Sequence, residues 1–171
     1  MKKILLLVVL LIAGSIIPGI LIVKRVQFKQ NCSGYLKQAA DANSTELALQ
    51  RINMAISYIE RESLTDGYTS VLWQTEDESI RFWYENIIAC RNELDGCGKA
   101  SQLEKSNVLM KVRESLTDND HGDTVLTIPA GIYKYPNNAL WGVLLTISII
   151  ILCVALFVFV FILHDNGWIT D

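Results

Sequence analysis

The residues whose types could do chemistry are few, and each set has a spacing that limits what it can do. Cysteines stand at Cys32, Cys90, Cys97 and Cys153, and the only histidines are His121 and His164. Cys90 and Cys97 are too far apart for a paired zinc ligand motif, and no histidine is near them in sequence. The acid-rich run Asp118-Asn119-Asp120-His121-Gly122-Asp123 resembles the start of a calcium loop. Its glycine comes one place early and Pro129 stands where the twelfth-position Glu belongs, so the run reads as a solvated turn. With two histidines far apart, no nucleophile, base and orienting group can be assembled. The sequence therefore predicts no catalytic residue, no metal site and no cofactor.

Two further sets point to structure and binding. Cys32, Cys90 and Cys97 are candidates for one disulfide, with three single pairings open. Cys32 with Cys90 is favoured because Cys90 falls on an inward helical stripe, and Cys97 is nearly as good. In a reducing compartment the same residues would be buried thiols. The aromatic set Tyr68, Trp73, Phe82, Trp83 and Tyr84, with Arg81 beside it, is the candidate interaction surface. Successive helical residues point about 100° apart, so three consecutive aromatics cannot all enter one core and at least one must face out.

The elements that must position these residues begin with two apolar blocks. Residues 4–23 and 139–163 each contain about 20 apolar residues in a row, enough for a helix to cross a hydrocarbon core about 30 Å thick. The composition, 51% hydrophobic and 19% charged, averages these blocks with a polar middle. The middle, residues 24–138, carries 13 of the 15 Lys and Arg and 16 of the 18 Asp and Glu, a net charge of −3. That balance excludes the basic surface nucleic acid needs. The expected fold is a mainly α membrane protein in which two transmembrane helices bracket a small helical bundle with a short two-stranded β-ribbon.

The first block also has the form of a signal peptide, with Lys2 and Lys3 before an apolar run and Ala13-Gly14-Ser15 as a weak cleavage site. The run continues through Val23, longer than a signal requires, which favours an uncleaved anchor after a short tail, 1–3. Pro18 is expected to kink it, and Ser15 with Gly19 forms a small-xxx-small pair. The charges flanking the first block, Lys2 and Lys3 against Lys24, Arg25 and Lys29, nearly balance under the positive-inside rule. A signal-like start and three cysteines in the middle favour an extracytoplasmic domain with both termini cytoplasmic, in the plasma or inner membrane. Trp141 and Trp168 are expected interface anchors around the second block. In a eukaryotic source, Asn31-Cys32-Ser33 and Asn43-Ser44-Thr45 would be glycosylation sequons.

Within the middle, helices are predicted at about 34–63, where a shorter piece, Tyr35 to Asp41, leads into one that starts near Asn43, and at about 76–95 and 101–117, followed by an extended return over 122–138 and, after the second span, a tail over 164–171. The starts rest on capping-box spacings at Asn43 to Glu46, Thr75 to Glu78 and Ser101 to Glu104. The predicted path is out, back and out again, which gathers Cys32, Cys90 and Cys97 at the membrane-proximal end. A hexapeptide recurs, Arg61-Glu62-Ser63-Leu64-Thr65-Asp66 and Arg113-Glu114-Ser115-Leu116-Thr117-Asp118, each time before a β-like run. The two runs, 68–73 and 124–128, are the expected ribbon partners. With so little chemistry, the sequence reads best as an accessory, scaffold or assembly subunit, bound to the bilayer and to another membrane protein or to copies of itself. The alternative is an extracytoplasmic ligand-sensing module that signals through a partner.

Overall fold

The computed structural model describes residues 2–70, 73–120, 122–133 and 139–165. It is mainly helical and divides into two compact units, one made of residues 1–24 with 139–171 and one of residues 25–138.

The first unit is a pair of long apolar helices, α1 (Lys2–Phe28), whose first part belongs here, and α6 (Ala139–Asp165). Both are long and apolar enough to cross a membrane, and only 11% of each apolar stretch is buried. They run antiparallel, as three contacts along their length show. Lys3 Nζ lies 2.8 Å from Asp165 Oδ2, the Ser148 hydroxyl donates to the Gly14 carbonyl, and Lys24 lies over the Trp141 ring at 5.4 Å. A Cβ at Gly14 would stand 2.7 Å from Leu152 Cγ, so hydrogen is the side chain this crossing admits. The expected small pair Ser15 and Gly19 plays no part in it, since nothing lies within 4 Å of a Cβ built at Gly19.

Among the described residues the second unit is a bundle of four α-helices and a hairpin. After a π-helical turn at Lys29–Ser33 come α2 (Gly34–Ala40), α3 (Thr45–Arg61), α4 (Ile80–Gly96) and α5 (Gln102–Leu116). On α3, Ala48, Ile52, Ala55, Ile56 and Ile59 are buried at spacings of three and four. Ile80, Trp83, Ile87, Cys90 and Leu94 do the same on α4. They close one core with Leu36, Val112, Leu116 and Ile132.

The helical stretch expected over 34–63, a short piece leading into a helix that starts near Asn43, is present as α2 and α3, which fold back on one another. Ser44, not Asn43, is the N-cap of α3 and accepts from the Leu47 N–H at 3.2 Å. Small buried residues at Ala39, Ala40 and Ala42 let the chain reverse closely there, and the Phe28 and Tyr58 rings meet edge to face at 6.1 Å. This reversal sets the two ends of α3 beside the starts of α4 and α5. The C-terminal half of α3 lies by the start of α4, with the Tyr84 hydroxyl donating to Glu60, and its N-terminus lies by the start of α5, with Lys105 on Glu46 at 3.1 Å.

The capping box Ser101 with Glu104 is formed in full. Thr75 instead caps a short 3-10 turn, Glu76–Glu78, and Ser79 caps α4 by accepting from the Phe82 N–H. The expected ribbon between 68–73 and 124–128 is replaced by a local hairpin, β1 (Thr117–Asp120) antiparallel to β2 (Asp123–Leu126). Closing adjacent segments over Gly122, at φ 93°, costs less chain entropy than joining runs some fifty residues apart. Tyr68 pairs with Ser79 in a single bridge. Of the expected return over 122–138, the described part is β2, an irregular run at 127–129 and a turn. Residues 134–138 and Trp168 lie outside the described residues.

Candidate functional site

The start of α4, the end of α5 and the segment after β2 enclose a groove of about 510 Å³. Its apolar surface comes from Phe82, Trp83, Ile87, Leu116, Ile128 and Pro129, and its polar edge from Glu76, Asp77, Asn86, Ser115 and Thr127. Backbone bonds fix each wall. Thr127 donates its N–H to Leu116 O at 2.9 Å and its hydroxyl to Ser115 O at 3.1 Å, which ties the segment after β2 to α5. On the other side the Ile80 N–H donates to Gly67 O and the Thr69 N–H to Glu78 O, so the loop before α4 braces its first turn.

Charge at this site is one-sided. Among the described lining residues Glu76 and Asp77 are the only acidic side chains, and there is no Lys, Arg or His. Arg81 is turned away from such a role because Asp66 holds it in a two-pronged pair, with both bonds at 3.0 Å. That pair holds the Asp66 carboxyl below the usual carboxylate range, through the bond from Arg81 first and the Gly67 N–H second.

The aromatic run separates as helical spacing requires. Trp83 is buried at 6% exposure, Phe82 is 63% exposed, and Tyr84 lies between them with its hydroxyl on Glu60. Trp73 is more open still at 79%, and Tyr68 is half-buried. Of the six residues expected to form one surface, Phe82 and Trp83 line the groove, Trp73 is exposed, and Arg81, Tyr84 and Tyr68 are engaged within the fold. The rest of the groove was hidden from sequence reasoning. Leu116 and Ile128 scan as a core helix position and a return strand, and only the hairpin brings them together opposite α4.

The Trp83 indole N–H is buried and has no acceptor among the described residues, as is true of Thr69 Oγ1, Ser70 Oγ and Arg91 Nε. Of these four residues only Trp83 lines the groove. Buried indole donors are normally paired, so this one is a point of stored cost.

The candidate disulfide among Cys32, Cys90 and Cys97 is not formed in the structure, where all four cysteines are free thiols. Cys32 lies near Tyr58, toward the C-terminal end of α3, while Cys97 stands just past the C-terminal end of α4. Burial pushes the Cys90 thiol up, away from reactivity. Among the described residues no group of three His, Cys, Asp or Glu could hold a metal ion. No protein family, curated protein or solved structure matches this chain.

Proposed function

We propose that this is a two-pass membrane protein whose middle domain works by binding another protein, as an accessory or assembly subunit. In this reading α1 and α6 lie in the bilayer, the domain is extracytoplasmic and both termini are cytoplasmic. The observation that carries it is the apolar groove with exposed Phe82 in its lining; Trp73, outside the lining, is exposed as well. Large aromatics exposed to water beside a concave apolar surface are the usual anchors of protein interfaces. The barely buried apolar surfaces of α1 and α6 support the membrane part of the reading, since lipid would cover what the protein does not.

A ligand-sensing role is the second reading. It is favoured by the groove's volume, which falls within the range of about 300–1,000 Å³ typical of small-molecule sites. The two separate in one experiment. The chain with a C-terminal tag is extracted in mild detergent, and proteins recovered in near-equal amount are identified for the wild type and for a Trp73→Ala, Phe82→Ala double variant. A membrane protein, or further copies of the chain, at fixed ratio and reduced at least tenfold by the double variant, is the expected result. Recovery of a lone monomer overturns the subunit reading.

A further inference from the structure

We propose that the groove takes a short segment of a partner protein carrying one Lys or Arg flanked by aliphatic residues. This rests on the binding reading above and names the chemistry of what is bound. The cation belongs against Glu76 and Asp77, the two unopposed carboxylates of the lining, and the aliphatic side chains belong against Phe82, Ile87 and Ile128. Neither carboxylate has a hydrogen-bond or ion-pair partner among the described residues, whereas the neighbouring Glu78 accepts from the Thr75 hydroxyl at 2.9 Å. Opposite charge at the rim of an apolar site selects partners and sets their register, while the apolar walls supply most of the affinity. An acidic segment is rejected for the same reason, since its charge would face two like charges at short range.

Trp83 adds a requirement for an acceptor. Its indole N–H is buried and unpaired and its side chain lines the groove, so a main-chain carbonyl arriving with the segment supplies the missing acceptor once the ring turns to meet it. A peptide brings such carbonyls at every residue, whereas a simple aliphatic amine brings the cation and the apolar body without one.

The test uses the full chain in nanodiscs of zwitterionic lipid, labelled with ¹⁵N-tryptophan, with the Trp83 indole signal identified by its loss in Trp83→Phe. The probes are capped hexapeptides with one Arg among aliphatic residues, in every position of the Arg, and the same set with Glu in its place. Octylammonium serves as the cationic amphiphile. The expected result is a saturable downfield shift of the Trp83 signal with one or more Arg peptides, at least tenfold weaker binding by their Glu counterparts, and a similar loss in Glu76→Gln, Asp77→Asn. Asn86→Trp, which fills the groove from an exposed position on α4, should abolish the shift while the other tryptophan signals stay in place. Equal response to Arg and Glu peptides, or no saturable response to any, overturns the proposal. An equal response to octylammonium also overturns it, in favour of a small cationic ligand. If a partner is recovered through Trp73 and Phe82 while every peptide fails, the binding reading stands and this assignment of its ligand falls.

Discussion

The helix pair α1–α6 and the bundle over 25–138 are built from the same aliphatic residues, used in opposite directions. In the pair, Leu5 is 66% exposed and Phe157 74%, and the close contact is made by Gly14, Ser148 and Ala155. In the bundle, Ile52, Ile59 and Ile80 are fully buried, and charged residues cover the outside. Water drives apolar side chains inward, whereas lipid gives them no reason to leave the surface, and helices there meet through small residues. On the membrane reading proposed above, the two units call for two solvents, a point that an average composition of 51% hydrophobic conceals.

The sharpest way to probe that contrast is a core deletion in the bundle. Ile52→Ala removes a fully buried side chain and should cost about 2–5 kcal/mol, seen as faster amide exchange across α2–α5 of the full chain in detergent. Exchange within α1 and α6 should stay unchanged, and slowing or speeding there would break the division into two units. Next comes overpacking of the helix pair. Gly14→Leu places a side chain on Leu152 and should cost about 1–3 kcal/mol, read as loss of Lys3-to-Asp165 crosslinking by a short amine–carboxyl reagent.

Smaller effects test the local reasoning. Ser101→Ala removes the cap of α5 and should cost about 1 kcal/mol in thermal unfolding of the bundle, with no effect on the helix pair. The smallest is Asp66→Asn. Because Arg81 depresses the folded pKa of Asp66, its ionised form stabilises the fold above the ordinary carboxylate value of 3.8, and that stabilisation is lost as pH falls through the lower folded value. Both groups are exposed, so the wild type should exceed Asp66→Asn slightly at pH 7 and the difference should vanish in strong acid. A difference that grows in acid would refute the assignment.

Much of each helix was legible from the sequence because its signal is local. The apolar stripe of α4 and the capping box at Ser101 and Glu104 need only neighbouring residues, and both are found in place. The break between α2 and α3 was marked by the capping spacing at Asn43 to Glu46, but the reversal at Ala39, Ala40 and Ala42 was not, because it depends on packing that local propensity does not describe. The repeated hexapeptide makes the same point. In the first copy α3 ends at Arg61, Ser63 takes φ 56° and Gly67 follows at φ 90°. In the second copy the helix runs on to Leu116, with Arg113 Nε on Ala40 O at 2.9 Å, and the next residues enter β1. Both leucines, Leu64 and Leu116, are buried, so six identical residues keep their core contact and differ in backbone according to their surroundings. The candidate site was half legible. Its aromatic edge was visible as an excess of rings, but its far wall depends on a hairpin formed from a run of acids that strands normally exclude.

The central claim, a water-built domain held by lipid-built helices, is tested most directly by the reactivity of Cys153. That thiol is exposed on α6, while Cys32, Cys90 and Cys97 are buried. Leu103, 72% exposed on α5, offers a site for a reference cysteine. A membrane-impermeant maleimide applied to intact cells should label Leu103→Cys and leave Cys153 untouched until the membrane is dissolved and the chain unfolded. Labelling of Cys153 in native membranes at the rate of Leu103→Cys would place α6 in water and contradict the account.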